Sequence, residues 1–193
     1  MISNELKCIF IHCQKCAGES IEKALKGSPD KNYAGDPFEG SPLKHANINY
    51  FKRNHSKYFE DYFKFSVVRN PWDRFISWVK YRDLRHNLYN GELTYNILSK
   101  ELKNKYIRKN TFTYLLNLKS KKDIDFIAKF ETLNVDFKYI CKRLCINATL
   151  PHINQSSVNK IHYSNYYNEK LIDEVYKVFK SDINFFGYEF EKK

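Results

Sequence analysis

The stretch Lys64 to Trp78, KFSVVRNPWDRFISW, constrains the fold of this chain more than any other segment. Phe65 to Arg69 reads as a buried strand, because short apolar runs with β-branched residues suit a sheet interior. Asn70 is a helix N-cap residue, since its side-chain oxygen can take a backbone N–H of the first turn. Pro71 suits the first helical position, where no donor is needed and φ is already set. Trp72, Phe75, Ile76 and Val79 then recur at helical spacing. A strand turning directly into a capped helix makes an anion site, because the first N–H groups lack intrahelical partners and the dipole is positive there. Arg69 stands just before that site and Ser77 two turns into the helix. An arginine and a hydroxyl converging on a helix start predict a bound phosphate.

The rest of the chain alternates in the same way. Lys7 to His12 predicts a first buried strand, Cys13 to Gly18 a turn, and Glu19 to Lys26 a helix with Ile21, Ala24 and Leu25 inward. Gly27 to Pro42 carries Gly, Pro, Asp and Ser and predicts a loop. Ala46 to Tyr62 predicts one or two helices. After the segment above, a break at Asn87 to Thr94 precedes helices over Tyr95 to Ile107 and Thr111 to Leu118. Phe126 to Phe130 predicts a short strand. Leu133, Phe137, Ile140, Cys141 and Leu144 form one face of an amphipathic helix. A polar loop over Pro151 to Ser164 follows. Asn168 is placed to cap a last helix carrying Leu171, Ile172, Val175, Val178 and Phe179, and the apolar tail FFGYEF should pack back on the body. Strands alternating with helices predict an α/β fold with a mostly parallel central sheet between helical layers. With 193 residues, no internal repeat and no linker, a single domain over 1–193 is expected.

No run of about 18 apolar residues exists, so no membrane span is expected. The N-terminus runs straight into a strand, without the pattern of a signal peptide. A net charge of +11 raises the question of a polyanion partner. However, Lys outnumbers Arg 26 to 7 and Asn reaches 19, a drift in composition that spreads charge over solvated faces. A nucleic-acid surface is therefore not expected. Five cysteines, an odd number with no secretory signal, suit reduced thiols in a cytoplasmic protein.

The turn HCQKCAGES opens the first helix. Gly18 lets the backbone approach a ligand closely. Ser20 and the N–H groups of Ala17 to Ile21 can take phosphate-like oxygens, and Lys15 adds a mobile positive charge. The pattern GxxxxGK[ST] is absent, as is a paired acidic magnesium ligand, which argues against an ordinary ATPase or GTPase. Other chemistries stay open on the residues alone. Cys13 and Cys16 form a C-x-x-C between strand and helix, as in a thioredoxin-like thiol oxidoreductase. A zinc site from Cys13, Cys16, Cys141 and Cys145 is conceivable, although Cys141 belongs to an apolar helix face where a small buried thiol suffices. A non-catalytic, polyanion-binding protein is a further alternative.

Taken together, IFIHCQKCAGESIEKAL and SVVRNPWDRFISW resemble the two cofactor motifs of sulfotransferases. The first is similar to their 5′-phosphosulfate loop, written close to IFIHIPKTAGTS, and the second to their 3′-phosphate motif, RNPxxRxxS. FIAKFETLNVDFKYICKRLCI, LPHINQSS, HYSNYY and INFFGYEF extend the resemblance over nearly the whole chain. It is strongest to the small carbohydrate sulfotransferases related to the heparan-sulfate 2-O type, without their membrane anchor. The resemblance implies a three-layer, P-loop-like sulfotransferase fold. It implies 3′-phosphoadenosine 5′-phosphosulfate (PAPS) as cofactor, adenosine 3′,5′-bisphosphate (PAP) as product, no metal, and a carbohydrate or other hydroxyl compound as acceptor. Lys15 would contact the phosphosulfate and the leaving-group oxygen. Ala17, Gly18, Glu19 and Ser20 would add backbone and hydroxyl contacts, and Arg69 and Ser77 would hold the 3′-phosphate. Glu19 and Cys16 stand where the family usually has Thr.

Sulfuryl transfer also needs a proton acceptor with a pKa near working pH, a role for histidine. His12, His45, His55, His86, His152 and His162 are the candidates. By resemblance the base is His45, since related enzymes carry a His-Ala pair at this distance after the phosphosulfate loop. His12 could orient the loop. His162 and Lys160 would belong to a segment closing over the cofactor, with His152 packing or shaping it. Arg74, Trp72, Phe75 and Trp78 read as structural, as do Tyr163, Tyr166 and Tyr167.

Overall fold

The structure, a computed structural model, describes residues 1–25, 45–109, 111–117, 123–151 and 161–193. Its described residues form two compact units, Met1–Val68 with Phe112–Gln155, and Arg69–Thr111 with Ser156–Lys193.

The first unit holds a four-stranded sheet in the order β1 (Ile2–Ser3), β2 (Cys8–Ile11), β3 (Phe63–Val68), β4 (Phe126–Lys129). β1 runs antiparallel to β2, and β2–β3 and β3–β4 are parallel, with Phe10 opposite Phe65 and Phe65 opposite Phe126. The chain is thus α/β with a mostly parallel, mixed sheet, as its alternating pattern predicts. β2 is buried along its whole length, and β3 is buried from Lys64 onward. Strands inside a parallel sheet are covered on both faces, so they read as continuous apolar runs. Lys64 is the exception in β3. Its Nζ donates to the Tyr62 carbonyl at 2.8 Å and pairs with Asp125 at 3.1 Å, which offsets the cost of burying a charge. β1 was not anticipated, since two residues leave no periodic signal; its pairing partners, not its own sequence, make it a strand.

Helix α1 (Gly18–Ala24) follows β2. The segment before β3 forms two short helices, α2 (Ile48–Asn54) and α3 (Ser56–Phe59), as expected. Asn47 caps α2 by accepting the Tyr50 N–H. In this unit α7 (Phe112–Leu115) precedes β4, and α8 (Leu133–Arg143) packs on β4, where Tyr139 lies 4.5 Å from the Phe126 ring. Of the apolar face read from sequence, Leu133, Phe137, Ile140 and Cys141 are buried, and Leu144, just past the helix, is half-buried.

The second unit opens with α4 (Pro71–His86). The Asn70 side chain accepts the Trp72 N–H and Pro71 takes the first turn, so both local signals act as predicted. A single helix expected over residues 95–107 divides into α5 (Tyr95–Leu102) and α6 (Lys105–Lys109). The cause is Asn104, whose side-chain oxygen accepts the Tyr106 N–H at 2.9 Å and so competes with the helical ladder. Helix α9 (Glu169–Phe186) is capped by Asn168 through the Leu171 N–H and buries Leu171, Val175, Phe179 and Ile183 against α4 and α5. It extends through Phe186, so the first two residues of FFGYEF belong to the helix. Gly187 ends it at φ 65°, the left-handed conformation that glycine adopts without strain. The loop expected over residues 27–42 lies outside the described residues.

Candidate functional site

In the first unit the site grows from the end of β2. Ser66 on β3 donates to the Ile11 carbonyl at 2.7 Å. Its only proton is thereby used, so Cys13, 3.3 Å from Ser66 Oγ, is the donor in that contact. Cys16 turns its thiol the other way, to the Gln14 carbonyl at 3.4 Å. The two thiols of the C-x-x-C therefore serve separate acceptors; both are buried and neither is in a disulfide.

Lys15 and Ala17, on either side of Cys16, have φ of 63° and 59°. A left-handed residue with a side chain costs about 1–3 kcal/mol, so two so near each other mark a loop held by its surroundings. Left-handed residues interspersed with right-handed ones turn successive N–H groups toward one concavity, the geometry of anion nests. Helix α1 starts directly behind, with the Ile21 N–H bonded to the Ala17 carbonyl and Ala17, which has no capping side chain, at its N-cap. Ser20 is buried there, Lys15 is half-buried and Glu19 is exposed.

Gly18 has a further reason beside the one read in sequence. A Cβ at this position would lie 1.9 Å from His12 Nε2. The close approach is to the His12 imidazole, which fills the space a side chain would take. His12 itself is buried, and its Nδ1 lies 2.9 Å from Glu22 Oε1. A carboxylate only accepts, so Nδ1 carries the proton in that bond.

His45 completes this cluster. Its Nδ1 lies 3.0 Å from the His12 carbonyl oxygen, and its ring meets the His12 ring edge-on at 4.5 Å between centroids. The carbonyl cannot donate, so His45 Nδ1 must. A neutral His45 therefore carries its lone pair on Nε2. His12 thus joins Gly18 of the loop and His45, which lies 33 residues along the chain. Sequence reading missed Glu22, since one acidic residue on a short helix carries no signal of its partner.

In the second unit Arg69 precedes α4, and its Nε donates to Asp73 Oδ2 at 2.7 Å. The i, i+4 spacing of this pair was readable; Asp73 was nevertheless not singled out from sequence. Ser77 is half-buried one turn beyond Asp73. Arg74 is buried with its guanidinium 5.4 Å from the Phe179 ring centroid, a structural place. Trp72 and Phe75 are core residues, and Trp78 is half-buried with Arg82 over its ring at 4.9 Å. Tyr163 is buried, and Tyr167 donates to the Trp72 carbonyl at 2.8 Å. Burial raises the Tyr167 phenol well above its ordinary value, with the charge of Asp73 acting in the same direction. His162 accepts the Ser164 N–H at Nδ1 and caps the turn Tyr163–Tyr166. His152 and Lys160 lie outside the described residues.

Among the described residues no group of three His, Cys, Asp or Glu is placed to hold a metal ion, and no helix is long and apolar enough to cross a membrane. A family model described as "Sulfotransferase family" matches residues 1–189. No curated protein matches the chain, and no solved structure matches it.

Proposed function

The chain belongs to the sulfotransferase family, and from that membership we propose that it transfers a sulfuryl group from PAPS to a hydroxyl of a carbohydrate acceptor. The observation that carries this reading is the bond from His45 Nδ1 to the His12 carbonyl, which puts the lone pair of a neutral His45 on Nε2. That is the state a general base requires.

The residues fit the donor in kind. The left-handed pair Lys15 and Ala17 shapes a loop suited to an anion, and the carboxylate of Glu19, the departure with the wrong charge, belongs to an exposed side chain. Bound PAPS supplies the sulfuryl group and a phosphate leaving group. Lys15, a flexible point charge, neutralises the negative charge that grows on the leaving 5′-phosphate oxygen. Backbone N–H groups of Ala17, Gly18 and Glu19, with the Ser20 hydroxyl, hold the phosphosulfate oxygens. His45 Nε2 accepts the proton of the acceptor hydroxyl as its oxygen bonds to sulfur and the sulfur–phosphate oxygen bond breaks. Arg69 and Ser77 take the 3′-phosphate, with Asp73 orienting Arg69 through Nε. Transfer of this kind is mostly positioning and charge stabilisation. Five cysteines held as thiols, none in a disulfide, suit a reducing, cytoplasmic setting.

Thermal denaturation with PAP tests the reading. The wild type should gain stability on adding PAP, and Arg69→Ala should lose that gain. A wild type that PAP does not stabilise would defeat the donor assignment. A screen of carbohydrate acceptors with sulfur-labelled PAPS tests the second half.

A further inference from the structure

The C-terminal segment is fastened to the first turn of α4 by contacts that all lie within the second unit. Asn70, 3% exposed, uses both ends of its amide. Its Oδ1 accepts the Trp72 N–H at 3.1 Å, and its Nδ2 donates to the Glu189 carbonyl at 2.9 Å. A turned amide would set its oxygen against the Glu189 oxygen, so the tail carbonyl decides which end of Asn70 caps the helix. Next along, the Glu191 N–H donates to Tyr163 Oη at 2.9 Å. The Phe190 ring lies edge-on to Trp72, Tyr163 and Tyr167, with centroids 5.8, 5.5 and 5.2 Å away. Trp72 is held further by Tyr167, which donates to its carbonyl, and by its own indole N–H, which donates to the Ile172 carbonyl at 3.1 Å. The turn gripped in this way runs from Asn70 to Asp73, and Asp73 is the residue that orients Arg69.

We propose that residues 189–191, acting through Asn70 and Trp72, are a positioning element for the 3′-phosphate half of the donor site. This rests on the assignment of Arg69 and Ser77 to the 3′-phosphate. The tail touches the cap and the first turn rather than the ligand, so it acts by holding Arg69 and the turn behind it in register. Small displacements of positioning groups have large effects on recognition. The tail therefore governs discrimination between a nucleotide with a 3′-phosphate and one without, more than affinity for the nucleotide in general.

The test compares PAP with adenosine 5′-monophosphate, by calorimetry, on the full chain. Two variants loosen the tail differently. Phe190→Ala removes the aromatic contact. Asn70→Ser keeps a good capping oxygen but removes the bond to Glu189. In both, the Kd for PAP should rise by about tenfold while that for adenosine 5′-monophosphate stays within about twofold, and Phe190→Leu should recover most of the loss. A merely structural tail would weaken both ligands alike, and that result, or an unchanged ratio in both variants, overturns the proposal. A wild type that does not distinguish the two ligands overturns the donor assignment and this proposal with it.

Discussion

His45 Nδ1 donates to the backbone carbonyl of His12, 33 residues earlier, across 3.0 Å. A main-chain acceptor cannot change its role, so the bond orients the ring and sets its tautomer without a second titrating group. The His12 side chain is meanwhile engaged with Glu22 and seated on Gly18. One residue thus supports both His45 and the Lys15–Gly18 loop.

Substitution at position 45 separates binding from chemistry. His45→Asn retains a side-chain N–H for the His12 carbonyl but has no basic nitrogen. Its stabilisation by PAP should equal that of the wild type, while transfer falls by about 10²–10⁴-fold, the usual contribution of a general base. Transfer in His45→Asn at near wild-type rate would show that another group takes the proton.

Gly18→Ala tests the packing of the loop. Its Cβ would fall within the His12 ring, so the imidazole or the loop must move. Overpacking of this kind costs about 1–3 kcal/mol, read as a lower midpoint in urea unfolding. Adding His12→Ala to Gly18→Ala should remove the clash and make the second substitution less damaging than it is alone. Strictly additive effects would show that the clash is relieved elsewhere.

Thiol chemistry should divide the five cysteines. Cys145 is exposed, whereas Cys8, Cys13, Cys16 and Cys141 are buried. Burial pushes the Cys8 thiol up to about 12 and also raises Cys141. A thiol reagent at pH 8 should label Cys145 quickly and the other four only on unfolding. The double variant Cys13→Ser, Cys16→Ser should keep sulfuryl transfer within about threefold, since single buried hydrogen bonds of this size are worth little. Loss of transfer that returns with reductant in the wild type would instead support a redox pair.

Alkaline pH reports on the end of α4. Tyr89 donates to Glu101, which is also paired with Arg82, and Asp83 accepts the backbone N–H groups of Tyr89 and Gly91. Burial, and then the bond to Glu101, pushes the Tyr89 phenol up to about 12. The folded value lies above the unfolded one, so the neutral phenol stabilises the fold. That stability is complete below about pH 10 and is lost as pH rises toward 12. Tyr89→Phe should be less stable at pH 8 and should lack this alkaline decline in its unfolding midpoint. Parallel declines in both proteins would place the titrating group elsewhere.

Legibility from sequence followed the range of the interaction. Asn70, Pro71 and the apolar spacing of α4 could be read because each acts on residues within a turn or two. The Asn168 cap and the buried face of α8 were legible for the same reason. The division between α5 and α6 is also local, but asparagine occurs both within helices and at their caps, and only the bond from the Tyr106 N–H decides for Asn104. Gly18 was legible as a point of close approach, but its contact with the His12 ring was not, because nothing in sequence places that ring over it. Glu22 and the tail carbonyl of Glu189 were invisible, as their partners lie 10 and 119 residues away.

The chain's sequence alone determined the alternation of buried strands with capped helices, the two loop-to-helix motifs and the kinship they carry. Those properties reside in side-chain type and short spacing, which folding does not alter. Tertiary structure alone decided the tautomer of His45, the occupant of the space beside Gly18 and the grip of the tail on Asn70. Each of these depends on a carbonyl or a ring brought close by packing, and direction and distance in space are not written in residue order.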